Sequence, residues 1–398
     1  MNFQTITSSL IKLYSYLFNL NDRLDYLENY VPEKPLLRAE FITWFNEFIQ
    51  SGKKKIILPV DSNRLFVNVD YMDEIFDLLE SFWVQDFSIC FAQSNIQHAN
   101  LSYFKLNNVI TMQQMFQGCS SLLDMILSNR TIPKAINMSY ICYLSTVRIA
   151  DFSNLRLPEL TNLISAFSGC TSLESVNLSN LHAPNLTTLS NLFSGCTSLE
   201  SVNLSNVYVP KLTTLLNAFK NCTLLETIDL STFYCPNLTS MESMFEGCIQ
   251  LKSVNFTNFI TKNVTNMFSV FYNCSSLANI DLSSFDTSNV TTMYGMFTGT
   301  SIIRLDLSSF SSANLINMEA MFAKCTNLVE LVLNKEFGNN VVSVTNSEID
   351  MYATLDNGDE LIFTRLLYIP TLDTNINLQT IYCNENVIKI FDKSMQYH

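Results

Sequence analysis

The sequence has little of what most enzymes and nucleic-acid binders are built with. Charged residues make up only 15% of its 398, and acids outnumber bases 36 to 23, for a net charge of −13. This argues against a nucleic-acid partner, because gripping phosphates needs a Lys/Arg surface that displaces counterions. An anionic membrane surface is disfavoured for the same reason. Three His are present, His98, His182 and His398. None stands in an HExxH or beside a Ser or Cys in a recognisable catalytic pattern. No two of the 11 Cys form a CxxC pair, so a zinc ribbon is out. No Gly-rich phosphate loop appears, and with 9 Gly and 9 Pro, tight Gly-rich turns are not the connecting device. Apolar runs are a few residues long, far short of the roughly 20 that a membrane span needs. Residues 1–19 lack a basic start, a continuous apolar core and a cleavage site. Sec export is therefore not expected, and the cysteines read as reduced thiols. Catalytic residues, metal and cofactor are all expected to be absent.

What the sequence has is a period. Hydrophobic residues reach 47%, which a disordered chain does not. Cys170, Cys196, Cys222, Cys248 and Cys274 stand 26 apart; Thr300 continues the series, and Cys325 follows after 25. Backwards, the same count reaches Leu144, then Cys119, then Gln93. Within a unit, segments such as LESVNLSN alternate apolar and polar residues, which predicts a short strand. Segments such as NVTTMYGMF space apolar residues three apart, which predicts one or two turns of helix, with Asn289 and Thr291 suited to its cap. Each coil then supplies one strand to a parallel sheet, and stacking merges the inward Leu, Val and Phe into one core. Parallel strands are expected around Val176, Val202, Ile228, Val254 and Ile280. Phe193, Phe219, Phe245, Phe271 and Phe297 are expected to stack as a buried column.

Segments such as CTSLESVNLSN and FDTSNVTTMYGMFTGT resemble the BspA-like leucine-rich-repeat family, in its short surface-protein repeat form. The resemblance runs over residues 93 to 337. It implies an α/β repeat solenoid, with one parallel sheet, short helical turns opposite it and a binding or adhesive role. It does not imply a particular ligand. The chain departs from ordinary leucine-rich repeats at the loop Asn, replaced by Leu181 or Phe285. Its polar ladder lies one place earlier, at Asn129, Asn154, Asn180, Asn206 and Asn258, with Thr232 and Ser284 in line.

The ends read differently. Phe3, Ile6, Leu10, Leu13, Leu17, Leu20, Leu24, Leu27 and Val31 alternate spacings of three and four. That is a heptad seam, so residues 1–31 form either a self-associating coiled coil or a helix folded back as a cap. Residues 32–92 read as an N-terminal α/β cap, with helices at 36–50 and 72–83 and strands at 56–60 and 65–69. Residues 93–337 form about ten coils, and 338–398 a strand-rich C-terminal cap resembling the closing segment of such arrays.

The Cys ladder is read as core packing: a slot that also takes Leu144 and Thr300 is filled for its size. On the strand face, outward side chains form a carpet of short polar groups. The candidate binding residues are Ser175, Asn177, Ser201, Asn203, Thr227, Asp229, Ser253, Asn255, Asn279, Asp281 and Asp306. The same face also reads as a merely solvated surface, since it lacks the Tyr, Trp and Arg anchors of protein hot spots. One carboxylate per coil is too sparse for a tight calcium site. Sequons such as Asn185-Leu-Thr follow from the repeat. The expected function is a non-enzymatic binding or adhesion protein for a protein or glycan partner, oligomerised through Leu10, Leu13, Leu17, Leu20, Leu24 and Leu27. A structural subunit of a virus or phage particle and an intracellular scaffold are the alternatives. The corresponding locations are a virion or cell surface reached by a non-Sec route, or the cytoplasm.

Overall fold

The computed structural model describes residues 84–333, apart from 319 and 329. In front of these it describes 56–57, 62–64, 66–67 and 79–81; behind them, strands at 341–346, 350–355, 360–364 and 380–382. The heptad segment 3–31, with its six Leu, and the helix expected at 36–50 lie outside the described residues.

The chain is a stack of coils with parallel pairing from each coil to the next. A five-stranded parallel sheet comprises His98–Asn100, Asp124–Ile126, Ile149–Asp151, Ser175–Asn177 and Ser201–Asn203. Thr227–Asp229 then pairs with Ser253–Asn255, and Arg304–Leu307 pairs with Glu330–Leu333, which pairs with Thr380–Tyr382. The alternation that predicts the strands also fixes their facing. Val176 is buried between half-buried Ser175 and Asn177, and Ile228 between exposed Thr227 and Asp229. The expected register holds where Val176 meets Val202 and Ile228 meets Val254. The sheet is interrupted after Asn203 and again after Asn255, and Ile280 lies outside any strand. At the second break the Phe256 ring packs edge-on against Phe259, Phe271 and Phe285.

The segment expected as a helical turn is not helical. Among the described residues the one helix is a 3-10 turn at Leu101–Tyr103. The apolar spacing of three has another origin: a run of β-turns closed by bonds three residues long. Ser168 N–H donates to Ser165 C=O at 3.2 Å and Cys170 N–H to Phe167 C=O at 3.1 Å. The intervening N–H groups leave the coil. Those of Ser165, Phe167 and Gly169 donate to Ser190, Leu192 and Ser194 of the next coil at 2.8–3.0 Å. What diverts them is left-handed backbone four residues apart, at Ser165 and Gly169, then Asn191 and Gly195, then Ser243 and Gly247. Gly and Asn reach that conformation at least cost. At Gly247, an added Cβ would also meet the Asn221 side chain.

Beside this segment, a second column of bridges runs through Asp86, Thr111, Asn137, Asn162, Thr188, Thr214, Ser240, Asn266, Thr292 and Asn317, one residue per coil without a break. The same pattern continues in front of Gln93: Ser62, Arg64 and Phe66 N–H groups donate to Asp86, Ser88 and Cys90. Phe66 therefore lies in a turn, where 65–69 was expected as a strand. Leu79–Glu80, inside the helix expected at 72–83, is a strand parallel to Ile56–Ile57. Beyond the coils, Val341–Asn346, Asp350–Leu355 and Glu360–Thr364 form an antiparallel sheet.

The core is the expected Phe column, and it is longer than expected. Ring centroids from Phe167 through Phe193, Phe219, Phe245, Phe271 and Phe297 to Phe322 are 5.3–6.0 Å apart. Phe66, Phe91 and Phe116 form a second run, 5.4 Å apart. Cys142 takes the place of a ring between the two runs. Met125 Sδ sits 3.1 Å from its thiol, and Phe152 turns edge-on to Phe167.

Candidate binding surface

The strand face is built as the alternation requires. Ser175, Ser201, Thr227 and Ser253 open their strands; Asn177, Asn203, Asp229 and Asn255 close them. Asp306 lies in Arg304–Leu307, whereas Asn279 and Asp281 lie outside any strand. All eleven reach solvent on one side of the stack. The Asn and Asp are also structural. Asn177, Asn203, Asp229, Asn255, Asp281 and Asp306 each accept a backbone N–H two residues on, at 2.8–3.1 Å, as Asn203 does from Ser205, Asp229 from Ser231 and Asp281 from Ser283. Short polar side chains cap turns in this way. The Ser231 N–H and hydroxyl hold the Asp229 carboxyl below its ordinary value, and Ser283 does the same for Asp281. These oxygens are engaged by the fold before any ligand arrives.

Beyond the strand, the chain turns through left-handed Asn129, Asn154, Asn180 and Asn206. Their exposed amides form a ladder, each Nδ2 donating to the Oδ1 one coil earlier at 2.8–3.1 Å. Two residues further on stands a column that the sequence reading did not single out. Thr131, Arg156, His182, Tyr208 and Tyr234 bridge one to the next. The His182 and Tyr208 rings are 4.9 Å apart and 6° from parallel; Tyr208 and Tyr234 are 5.5 Å apart and 3° from parallel. Tyr208 remains 40% exposed and Tyr234 45%. Arg156 is exposed and makes no ion pair among the described residues. The sequence signal was available: in LHAP, VYVP and FYCP an aromatic sits between two apolar residues at one phase of the repeat, which points it outward.

A third system is internal. Cys170, Cys196, Cys222, Cys248 and Cys274 are fully buried and free, as expected. Each thiol donates to a carbonyl one coil back, Cys222 to Phe193 at 3.2 Å and Cys248 to Phe219 at 3.0 Å. Leu144 does not share their slot: it is 55% exposed, and Ser145 occupies the place, as Ser94 does in the first coil. Burial pushes the Cys170 thiol up to about 11 and Cys248 to about 12. Such thiols are inert as nucleophiles. Among the described residues, no group of three or more His, Cys, Asp or Glu is placed to hold a metal. No helix among them is long and apolar enough to cross a membrane.

The family model described as Mycoplasma protein of unknown function, DUF285, matches residues 60–155 and 239–357, just over half of the chain. The BspA type leucine rich repeat region matches residues 150–270 in six copies. The chain belongs to the DUF285 family, and its residues 150–270 are a BspA-type leucine-rich-repeat region. A search of curated proteins finds no match. BspA-type repeats generally mediate protein–protein interaction or adhesion, and their solenoid is typically non-enzymatic. The BspA-type match is centred on the coils that carry the His182, Tyr208 and Tyr234 column, and the other model covers the coils on either side.

Proposed function

We propose that this chain is a non-enzymatic binding or adhesion protein that presents its solenoid surface to a protein or glycan partner. One observation carries the reading: each coil is bridged to the next, so exposed side chains recur on a fixed lattice about 4.8 Å apart along the stack. A rigid array loses little conformational freedom on binding. The strand face from Ser175 and Asn177 to Asp306 forms the broad part of this surface. Probing protein and glycan arrays with the purified chain should return a reproducible ligand; silence on both arrays sinks the reading.

Self-association through residues 3–31 belongs to the same proposal and rests on the heptad spacing. Light scattering should give a multiple of the single-chain mass, reduced to one chain by Leu13→Asp with Leu20→Asp. A single-chain mass for the unaltered protein rejects it.

A further inference from the structure

The strand face and the aromatic column differ in what they have left to offer a partner. On the strand face the Asn and Asp oxygens cap turns, and the remaining groups are short hydroxyls. In the column, Tyr208 and Tyr234 are large, amphipathic and nearly half exposed, and Arg156 next to His182 has no counter-ion among the described residues. Tyr and Arg are the side chains on which protein interfaces most depend. Here they are already ordered, because each ring is held between its neighbours at 4.9–5.5 Å. A partner meets them without having to freeze their rotamers.

The orientation of the rings selects the partner's chemistry. The faces within the stack cover one another, so a sugar ring finds open aromatic faces only at its ends. What the column shows along its length is ring edges, hydroxyls and, one turn away, the Asn154, Asn180 and Asn206 amides. Edges and hydroxyls suit the backbone and apolar side chains of a polypeptide. The Arg156 fork suits a carboxylate. From Arg156 to Tyr234 is three coils, about 14 Å at the usual spacing of parallel strands, or about four residues of extended chain.

Resting on the binding role proposed above, we propose that the Arg156–His182–Tyr208–Tyr234 column is the anchor of a protein-binding site. It takes an extended segment about four residues long, with an acidic residue against Arg156 and apolar residues against the two Tyr.

The test pans a phage-displayed library of random 12-residue peptides on the immobilised full-length chain and measures the selected peptides by fluorescence anisotropy. Enrichment of an Asp or Glu a few residues from apolar positions supports the site. So does a loss of affinity of roughly tenfold or more with Tyr208→Ala/Tyr234→Ala and with Arg156→Glu, the scale of a hot-spot truncation. Ile249→Ala/Ile316→Ala, at exposed residues outside both the column and the strand face, should leave affinity within about twofold. Arg156→Glu guards against misfolding, since that side chain is exposed and makes no ion pair among the described residues. Peptides that ignore both column variants overturn this site alone. Failure to select any peptide overturns it too, and a signal on the glycan array then leaves the broader binding role standing. Glycan binding abolished by the column variants would overturn the assignment to a polypeptide.

Discussion

At the scale of single residues, the cysteine slot was partly legible. Counting back by 26 from Cys170 lands on Leu144, and a Leu in the slot implies selection for size. The coil before Cys170 is one residue shorter, so the true occupant is Ser145. With Ser94, Ser145 and Thr300 beside the cysteines, every occupant carries a small donor, and the seven cysteines that hold the slot spend theirs on a carbonyl of the preceding coil. Shape alone does not explain that. Cys222→Ser, which keeps a donor, should cost less than Cys222→Val, which keeps bulk and loses it. The Val variant is expected to lose about 1–3 kcal/mol in urea unfolding, the range for an overpacked site or a buried bond removed. Equal losses would restore the reading by size. The sequons have a similar cause. Asn237, Asn263 and Asn289 spend their amide nitrogens on the Pro210, Pro236 and Lys262 carbonyls, respectively, one coil back, at 2.8–2.9 Å. They recur because the stack uses them.

At the scale of the element, strands were legible and turns were not. Alternation needs only the two faces of a strand, and SVN or TID supplies them. Apolar spacing of three is shared by a helix and by a run of β-turns. The distinguishing mark is the pair of residues four apart that take left-handed backbone, and Ser, Asn and Gly in those places were a readable signal. The candidate face was placed correctly as exposed. The neighbouring aromatic column lies outside the strands, two residues beyond the Asn ladder, where strand alternation does not reach. The Phe column needed nothing beyond its period. Phe245 is fully buried, with Phe219 at 5.3 Å on one side and Phe271 at 5.7 Å on the other. Phe245→Ala should cost about 3–5 kcal/mol, as for other buried aromatics, measured as a fall in the unfolding midpoint. A midpoint left where it was would remove that ring from the core.

At the scale of the whole molecule, each coil bonds to its neighbours, so damage should stay local. Hydrogen exchange in Phe245→Ala is expected to rise over residues 222 to 273 and much less around Cys119 or Cys325. A uniform rise from Ser62 to Leu333 would mean that the stack opens as one unit.

The ladders also give the stack a direction. Most side-chain donors reach backwards: Asn154 to Asn129, Thr187 to Thr161, Asn263 to Pro236, Cys196 to Phe167; Thr261, Thr287 and Thr298 reach forwards. The turn N–H groups reach forwards, as Phe167 does to Leu192. A polypeptide is made from its N-terminus, so a new coil arrives to find acceptors for most of its Asn, Thr and Cys donors already in place. The same coil exposes a fresh row of backbone donors for the one not yet made. The sequence thus encodes a template that is extended at one end, and its period sets the length of each step.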